Sequence, residues 1–278
     1  MHPALLTFDL EDWHQLVGRM FGYTPDAAMR DRLKVQVDGI LRLLDRWQVK
    51  ATFFVLGITA ESSPGVVKEV ADAGHEIASH GYAHRSVRSH GAEDFARDLD
   101  AAATAVEAAT GRRPRGFRAP AFSIDERSFW AFDVLLDRGF TYDSSIFPFR
   151  GRRYGVPGFD TAPGPVHAPS GRSLLEIPLA VTDVGPVRLP VAGGGYWRAL
   201  PGPVLRRAVR RIARDAPPVL YFHPAEFDPQ RLSPPRLSPA LRRFAAAQNV
   251  RRTSVPGKLA DLFRVHRCVS VSDYLEGR

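Results

Sequence analysis

Two rhythms of apolar residues alternate along the chain. Short runs rich in apolar, β-branched or aromatic residues occur at "ALLTF", "ATFFVLG", "HEIASH", "GFRAP", "FTYDSS", "LLEIP" and "VLYFH", each of strand length. Between several of them the apolar positions recur at helical spacing, as in Leu33, Val37, Ile40, Leu41 and Leu44, and again in Phe95, Leu99, Ala102 and Val106 after the acidic start "GAED". This alternation predicts βα units around a parallel sheet, either doubly wound or closed as a barrel. From about Pro148 to Ser173 the rhythm fails in a stretch rich in Gly, Pro and Arg. That stretch reads as a long loop, a feature more often functional than idle in a compact domain.

Polar residues stand at the ends of these apolar runs. Asp9 ends the first, His80 the third, Arg118 the fourth, Asp143 the fifth and His223 the seventh. In a parallel barrel the C-terminal strand ends share one face, so residues far apart in sequence converge there.

Composition narrows the chemistry. A chain of 278 residues that is 44% hydrophobic can bury a sizeable core, and it is expected to form one α/β domain spanning 1–278. The single cysteine, Cys268, rules out an intramolecular disulfide and a thiolate cluster, leaving histidines and carboxylates as metal ligands. No apolar run has the length of a membrane span, and the expected location is cytoplasmic, with the inner face of the cytoplasmic membrane the other place considered. The net charge of +8 raises nucleic acid as a partner, but the arginines are scattered and no nucleic-acid motif accompanies them, so none is expected. The densest basic run is "VLRRAVRRIAR", a predicted helix with Val204, Leu205, Ala208, Val209 and Ile212 on one face and arginines on the other. The arginine face is either simply solvated or turned toward anionic lipid headgroups or a diphosphate-bearing substrate, giving at most a peripheral membrane contact.

Four stretches carry candidate chemistry. In "SHGYAH", His80 and His84 have a spacing that lets two imidazoles reach one metal. "DLED" supplies the carboxylate that a two-histidine, one-carboxylate site needs, and such a donor set suits Zn, with Co, Ni and Fe as alternatives. In "RAPAF", Arg118 at a strand end can hold Asp9 ionised and aimed. In "YFHPAEFDP", His223 leaves the last strand on the same rim, with Pro224 stiffening its exit.

Taken in order, "TFDLED", "SHGYAH", "RAPAF", "YDSS" and "YFHP" resemble the motifs of the polysaccharide deacetylase family, the NodB-homology carbohydrate esterases. The resemblance covers about residues 5–224, with a subgroup-specific extension over about 225–278. "GFRAPAFSI", "YDSSIFP", "GGGYWRALP" and "FHPAEFDP" resemble a bacterial subgroup associated with exopolysaccharide biosynthesis. The family fold is a distorted (β/α)7 barrel, which the strand count matches. By this resemblance Asp9 corresponds to the general base and Arg118 to the residue that orients it. His80 and His84 correspond to metal ligands, Ala121 to the backbone oxyanion donor, and His223 to the general acid.

Two departures stand out. Many members carry adjacent aspartates in the first motif, whereas Leu10 separates Asp9 from Glu11 and Asp12 here. The third ligand is therefore Asp12, the preferred choice, or Glu11. Ala225 replaces a tryptophan common after the His-Pro pair, which bears on the sugar site. Tyr82, Phe122, Tyr196 and Trp13 are either sugar-stacking rings or core caps, and Asp143 braces His223 or a substrate hydroxyl unless it is only a turn former. The glycines of "AGGGYW" lack a phosphate-loop pattern, and His14 reads as peripheral. The expectation is a metal-dependent hydrolase that removes an N-acetyl group from an amino sugar of a bacterial polysaccharide or its lipid-linked precursor. The alternatives are a same-fold amidase acting on a formamide or cyclic amide, and a catalytically silent carbohydrate-binding relative.

Overall fold

A computed structural model describes residues 1–11, 32–151, 154–231 and 238–277. Seven strands pair in parallel, in the spatial order β10 (Val219–Phe222), β1 (Ala4–Leu10), β2 (Thr52–Val55), β3 (Glu76–Ser79), β4 (Gly116–Phe117), β5 (Tyr142–Asp143) and β7 (Ser173–Glu176). They are the seven runs read from the apolar pattern. Every residue of β1, β2 and β10 is buried, as expected for central parallel strands covered on both faces.

The sheet curls into a distorted barrel. Its last gap is spanned by irregular chain. After β7, Ile177 donates its N–H to Asp143 O, Leu179 to Ile146 O and Ala180 to Val219 O, which carries the backbone from β5 across to β10. Tyr221 N–H then bonds to Ala192 O on the returning chain.

The helices cover the outside. The first, α1 (Arg32–Arg46), buries Leu33, Val37, Ile40 and Leu44, and α4 (Ala92–Thr110) buries Phe95, Leu99, Ala102 and Val106. Between them lie α2 (Gly57–Ser62) and α3 (Pro64–Asp72), and α5 (Trp130–Asp137) follows β4. Beyond the barrel's return lie α6 (Gly194–Ala199) and α7 (Gly202–Ile212). The C-terminal part adds α8 (Pro239–Asn249), α9 (Val255–Phe263), β11 (Cys268–Val269) and α10 (Val271–Leu275). There β11 pairs with the start of β1, and Val271 N–H bonds to Thr52 Oγ1 on β2. No described helix is long and apolar enough to cross a membrane.

Three details differ from the sequence expectation. The stretch read as a loop contains β6 (Gly164–His167), antiparallel to β7 at the sheet edge. Gly164 and Pro165 hid it, since both residues are poor strand formers and proline is tolerated at an edge. A separate hairpin, β8 (Val181–Val184) with β9 (Val187–Pro190), stands where the apolar pattern marks no strands. In α7 the structure buries Leu205 and Val209 but leaves Val204 half exposed, because it sits at the margin of the apolar stripe.

Candidate active site

The strand ends bring Asp9, Glu11, His80, Arg118 and His223 onto one rim. Asp9 and Glu11 are two residues apart where β1 ends, and the two-residue period of a strand turns both to the side away from Leu10. Glu11 N–H bonds back to Asp9 O at 2.9 Å, which breaks the strand there. Asp9 is 3% exposed and Glu11 4% exposed. Asp12, Trp13 and His14 lie outside the described residues.

Arg118 is wholly buried. Its Nη1 donates to Asp9 Oδ1 and to Thr7 Oγ1, each at 2.8 Å. Its Nε donates to Ser144 O at 3.0 Å and its Nη2 to Ser144 Oγ at 2.9 Å, while the guanidinium lies 4.0 Å from the centre of the Phe54 ring. A cation out of water is tolerable only when paired and hydrogen-bonded, and four donated bonds and a ring face meet that demand.

Glu11, His80 and His84 form the second half of the site. One ligand atom from each lies within 4.8 Å of the others. Of the two acids offered by "DLED" for this place, Glu11 is the one the described structure brings to the histidines. Glu11 Oε2 lies 2.9 Å from His84 Nε2, and Glu11 Oε1 lies 3.2 Å from His223 Nε2. Burial pushes the Glu11 carboxyl upward, but the charges and hydrogen bonds of His84 and His223 outweigh it and hold the group well below the ordinary carboxylate range. Burial lowers His80 to about 4, with Asp9 opposing the change, so its imidazole is neutral at neutral pH. His80 Nδ1 donates to the Arg118 carbonyl at 2.9 Å, which leaves the Nε2 lone pair available. A neutral, oriented imidazole, a second imidazole and an ionised carboxylate, all close together, fit a divalent metal of the zinc class. At His223 burial acts downward, yet the hydrogen bond and charge of Glu11 prevail and raise it to about 9.

The turns carrying these groups are strained and anchored. His84, Ala121 and Phe122 are non-glycine residues with left-handed φ of 54°, 54° and 50°. Such backbone persists only where its surroundings hold it. Gly81, inside the "SHGYAH" turn, has a φ of +74° that glycine adopts without strain. Beside it, Tyr82 N–H bonds to Asp98 Oδ2 of α4 at 2.8 Å. Ala119 N–H donates to Ser145 Oγ at 2.7 Å, and Ser145 Oγ in turn donates to Asp143 Oδ1 at 2.6 Å.

Asp143 is therefore a brace for the "RAPAF" turn. It is wholly buried. Its partners are Ser145 and Glu176, not His223. Burial and the nearby Asp143 charge push Glu176 well up. Tyr82 directs its hydroxyl to Glu61 Oε2 at 2.8 Å, on the helix side of the turn. Phe122 is buried in a ring cluster with Phe147, Tyr154 and Tyr221, and Tyr196 is half-buried beside Tyr154.

Several supports of the site carry little sequence signal. Thr7 and Ser144 hold Arg118; a hydroxyl in an otherwise apolar strand and the serines of "YDSS" are the only hints of them. Glu226 is 6% exposed and accepts the His223 N–H at 3.1 Å. A Cβ on Gly194 would overlap that carboxylate, so any larger residue there has to displace it. The buried Arg252 bonds to the carbonyls of Ala225 and Asp228 and closes the same turn from the C-terminal side.

Residues 15–136 match the polysaccharide deacetylase family model. That stretch, somewhat under half of the chain, is similar to the polysaccharide deacetylase family. Residues 144–276 match a second model, a domain of unknown function, DUF3473. Among curated relatives, the peptidoglycan deacetylase-like protein FGM2 of Gibberella zeae is 37% identical over 115 residues, 41% of this chain and 33% of its own. The peptidoglycan deacetylase of Helicobacter pylori is 30% identical over 130 residues, 44% of this chain and 42% of its own. The matched region thus spans less than half the length of each of these relatives. Among solved structures, a Mycobacterium smegmatis protein assigned to the polysaccharide deacetylases superposes with a TM-score of 0.67 at 22% identity, covering 100% of this chain and 93% of that one. BA3943 of Bacillus anthracis, a CE4 family pseudoenzyme, gives a TM-score of 0.54 at 15% identity over 99% of this chain and 66% of its own. These superpositions establish the fold. Because the same fold carries a pseudoenzyme, function has to be argued from the site.

Proposed function

We propose that this chain is a metal-dependent hydrolase that removes an N-acetyl group from an amino sugar of a bacterial polysaccharide or its lipid-linked precursor. The observation that carries the reading is the convergence of Glu11, His80 and His84 beside an Arg118-held Asp9, with His223 bonded to the other oxygen of Glu11. Glu11, His80 and His84 would hold the metal. When bound, a divalent cation supplies a Lewis acid for the acetamide carbonyl and lowers the pKa of water.

The remaining steps belong to the chain's own groups. Asp9 takes the proton of the attacking water, and its bond from Arg118 fixes the oxygen that receives that proton. The N–H of Ala121, presented by the strained turn after Arg118, donates to the oxyanion formed at the carbonyl. His223 gives its proton to the departing nitrogen, since an amide anion is too poor a leaving group to depart unprotonated. Acetate and a free amine result.

The curated relatives named for peptidoglycan support a glycan acetamide as substrate class. The association with exopolysaccharide rests on the subgroup motifs "YDSSIFP" and "FHPAEFDP". The test is mass spectrometry of N-acetylated oligosaccharides and lipid-linked precursors incubated with zinc-loaded protein. Loss of one acetyl group per sugar is expected, and it should vanish in Asp9→Asn, His80→Ala and His223→Ala. Full activity in all three variants, or turnover of a cyclic amide with every acetamide left intact, overturns the reading.

A further inference from the structure

The basic helix α7 lies apart from the candidate active site. The segment from residue 201 to 217 contains five arginines and a single carboxylate, Asp215. Leu205 and Val209 face the core, while Arg207, Arg211 and Arg214 recur at helical spacing and are exposed. Arg206 pairs with Asp261 of α9 at 3.5 Å. Among the described residues Arg207, Arg210, Arg211 and Arg214 have no ion-pair partner, so their charge is open to an outside anion.

The strand β8 packs against this helix. The hairpin that β8 forms with β9 exposes aliphatic side chains at its tip, with Val184 58%, Val187 53% and Leu189 43% exposed, and Val204 on α7 is 50% exposed. The one carboxylate in the hairpin, Asp183, is paired with Arg188 at 3.2 Å. A hairpin with an apolar tip, packed through β8 against a helix that carries unpaired guanidiniums, offers two groups that match the layers of a bilayer surface, acyl chains for the valines and phosphates for the arginines. Nucleic acid matches only the second. Aliphatic side chains gain nothing from a phosphodiester backbone, and nucleic-acid surfaces that hold bases use aromatic platforms, whereas α7 and the hairpin tip offer valine and leucine.

We propose that the arginine face of α7 and the tip of the β8–β9 hairpin together form a docking surface for a membrane leaflet rich in anionic phospholipid. The surface is made of residues outside the candidate active site and stands whether or not the proposed reaction is correct.

The experiment is co-sedimentation of the full chain with vesicles of phosphatidylcholine alone and of equal parts phosphatidylcholine and phosphatidylglycerol. Binding is expected only to the anionic vesicles, weakening as sodium chloride is raised. Each arginine near such a surface contributes about 1 kcal/mol, so R207Q with R211Q should weaken partitioning roughly 25-fold. V184S with V187S should weaken it several-fold at every salt concentration. All four side chains are exposed, so the thermal midpoints should match wild type, and R214Q serves as a milder second variant if the double arginine variant does not fold. Equal binding to neutral vesicles, or anionic binding indifferent to these substitutions, overturns the proposal. So does release from the vesicles by duplex DNA at the same phosphate concentration, which would assign the face to nucleic acid.

Discussion

Arg118 Nη1 sits 2.8 Å from Asp9 Oδ1, and neither side chain is more than 4% exposed. Both charges have left water, so each depends on the other and on the hydroxyls around them. Removing one partner leaves the other buried and uncompensated, at a cost of about 3–5 kcal/mol. Arg118→Met should therefore lower stability by that order in urea unfolding. Arg118→Lys keeps a charge but cannot serve Thr7, Asp9 and Ser144 together. It should retain more stability and still lose acetate release by a factor on the order of a hundred, since Asp9 loses its fixed orientation.

Metal binding should register in stability as well as in turnover. A ligand at about a hundred times its dissociation constant stabilises the folded state by about 2.7 kcal/mol. Zinc added to wild-type protein should raise the thermal midpoint, and the rise should disappear in Glu11→Gln and His84→Ala. Metal content by mass spectrometry of dialysed samples should fall in parallel. An unchanged zinc response in Glu11→Gln would remove Glu11 from the ligand set and return Asp12 to it.

The contact of Glu226 with Gly194 joins the His223 turn to α6. Gly194→Ala should push the carboxylate aside, cost about 1–3 kcal/mol by overpacking, and lower acetate release by displacing His223. Glu226→Ala in the same chain removes the overlap. The double variant should then be more stable than the sum of the single changes, a coupling that urea unfolding of the four proteins measures directly.

The strand-end placement of Asp9, His80, Arg118, Asp143 and His223 could be read from the sequence because a buried parallel strand leaves an apolar run, and a polar residue closing that run has few places to go. What such a residue touches could not be read. Asp143 closes its run like the others, yet Ser145 and Glu176 draw it inward and the rim never receives it. The choice between Glu11 and Asp12 turns on whether alternation survives past Leu10, and the bond from Glu11 N–H to Asp9 O decides the local path only in three dimensions. The β8–β9 hairpin escapes the pattern because its apolar residues face solvent, against the assumption that apolar means buried.

Cys268 offers a probe of the C-terminal part. It is buried in β11 against β1, and burial pushes its thiol up to about 12. Thiolate is the reactive form. Alkylation of native protein at neutral pH should be slow and should accelerate only under conditions that detach β11. Rapid labelling without loss of the urea transition would show that β11 separates from β1 in the folded protein.

His75 predicts how stability falls in acid. It is 8% exposed, packs beside Phe53 with ring centres 5.4 Å apart, and its Nδ1 accepts the Ala51 N–H at 3.3 Å. Burial lowers it to about 4 from 6.5, with the Lys50 charge acting in the same direction and Asp273 against. The folded state thus prefers neutral imidazole, while the unfolded chain takes up a proton near its ordinary value. Above pH 6.5 both states are neutral and the group has no effect on stability. As pH falls through 6.5 toward 4 only the unfolded state gains the proton, and stability drops until the folded state is protonated too. The full loss is about 3 kcal/mol, because each tenfold difference in proton affinity between the two states is worth about 1.4 kcal/mol. His75→Gln keeps an acceptor for Ala51 without a titrating ring, so its urea stability should decline less than wild type over that window and run parallel to it above. Parallel curves throughout would mean that folding leaves the proton affinity of His75 unchanged and that its burial does not govern its charge.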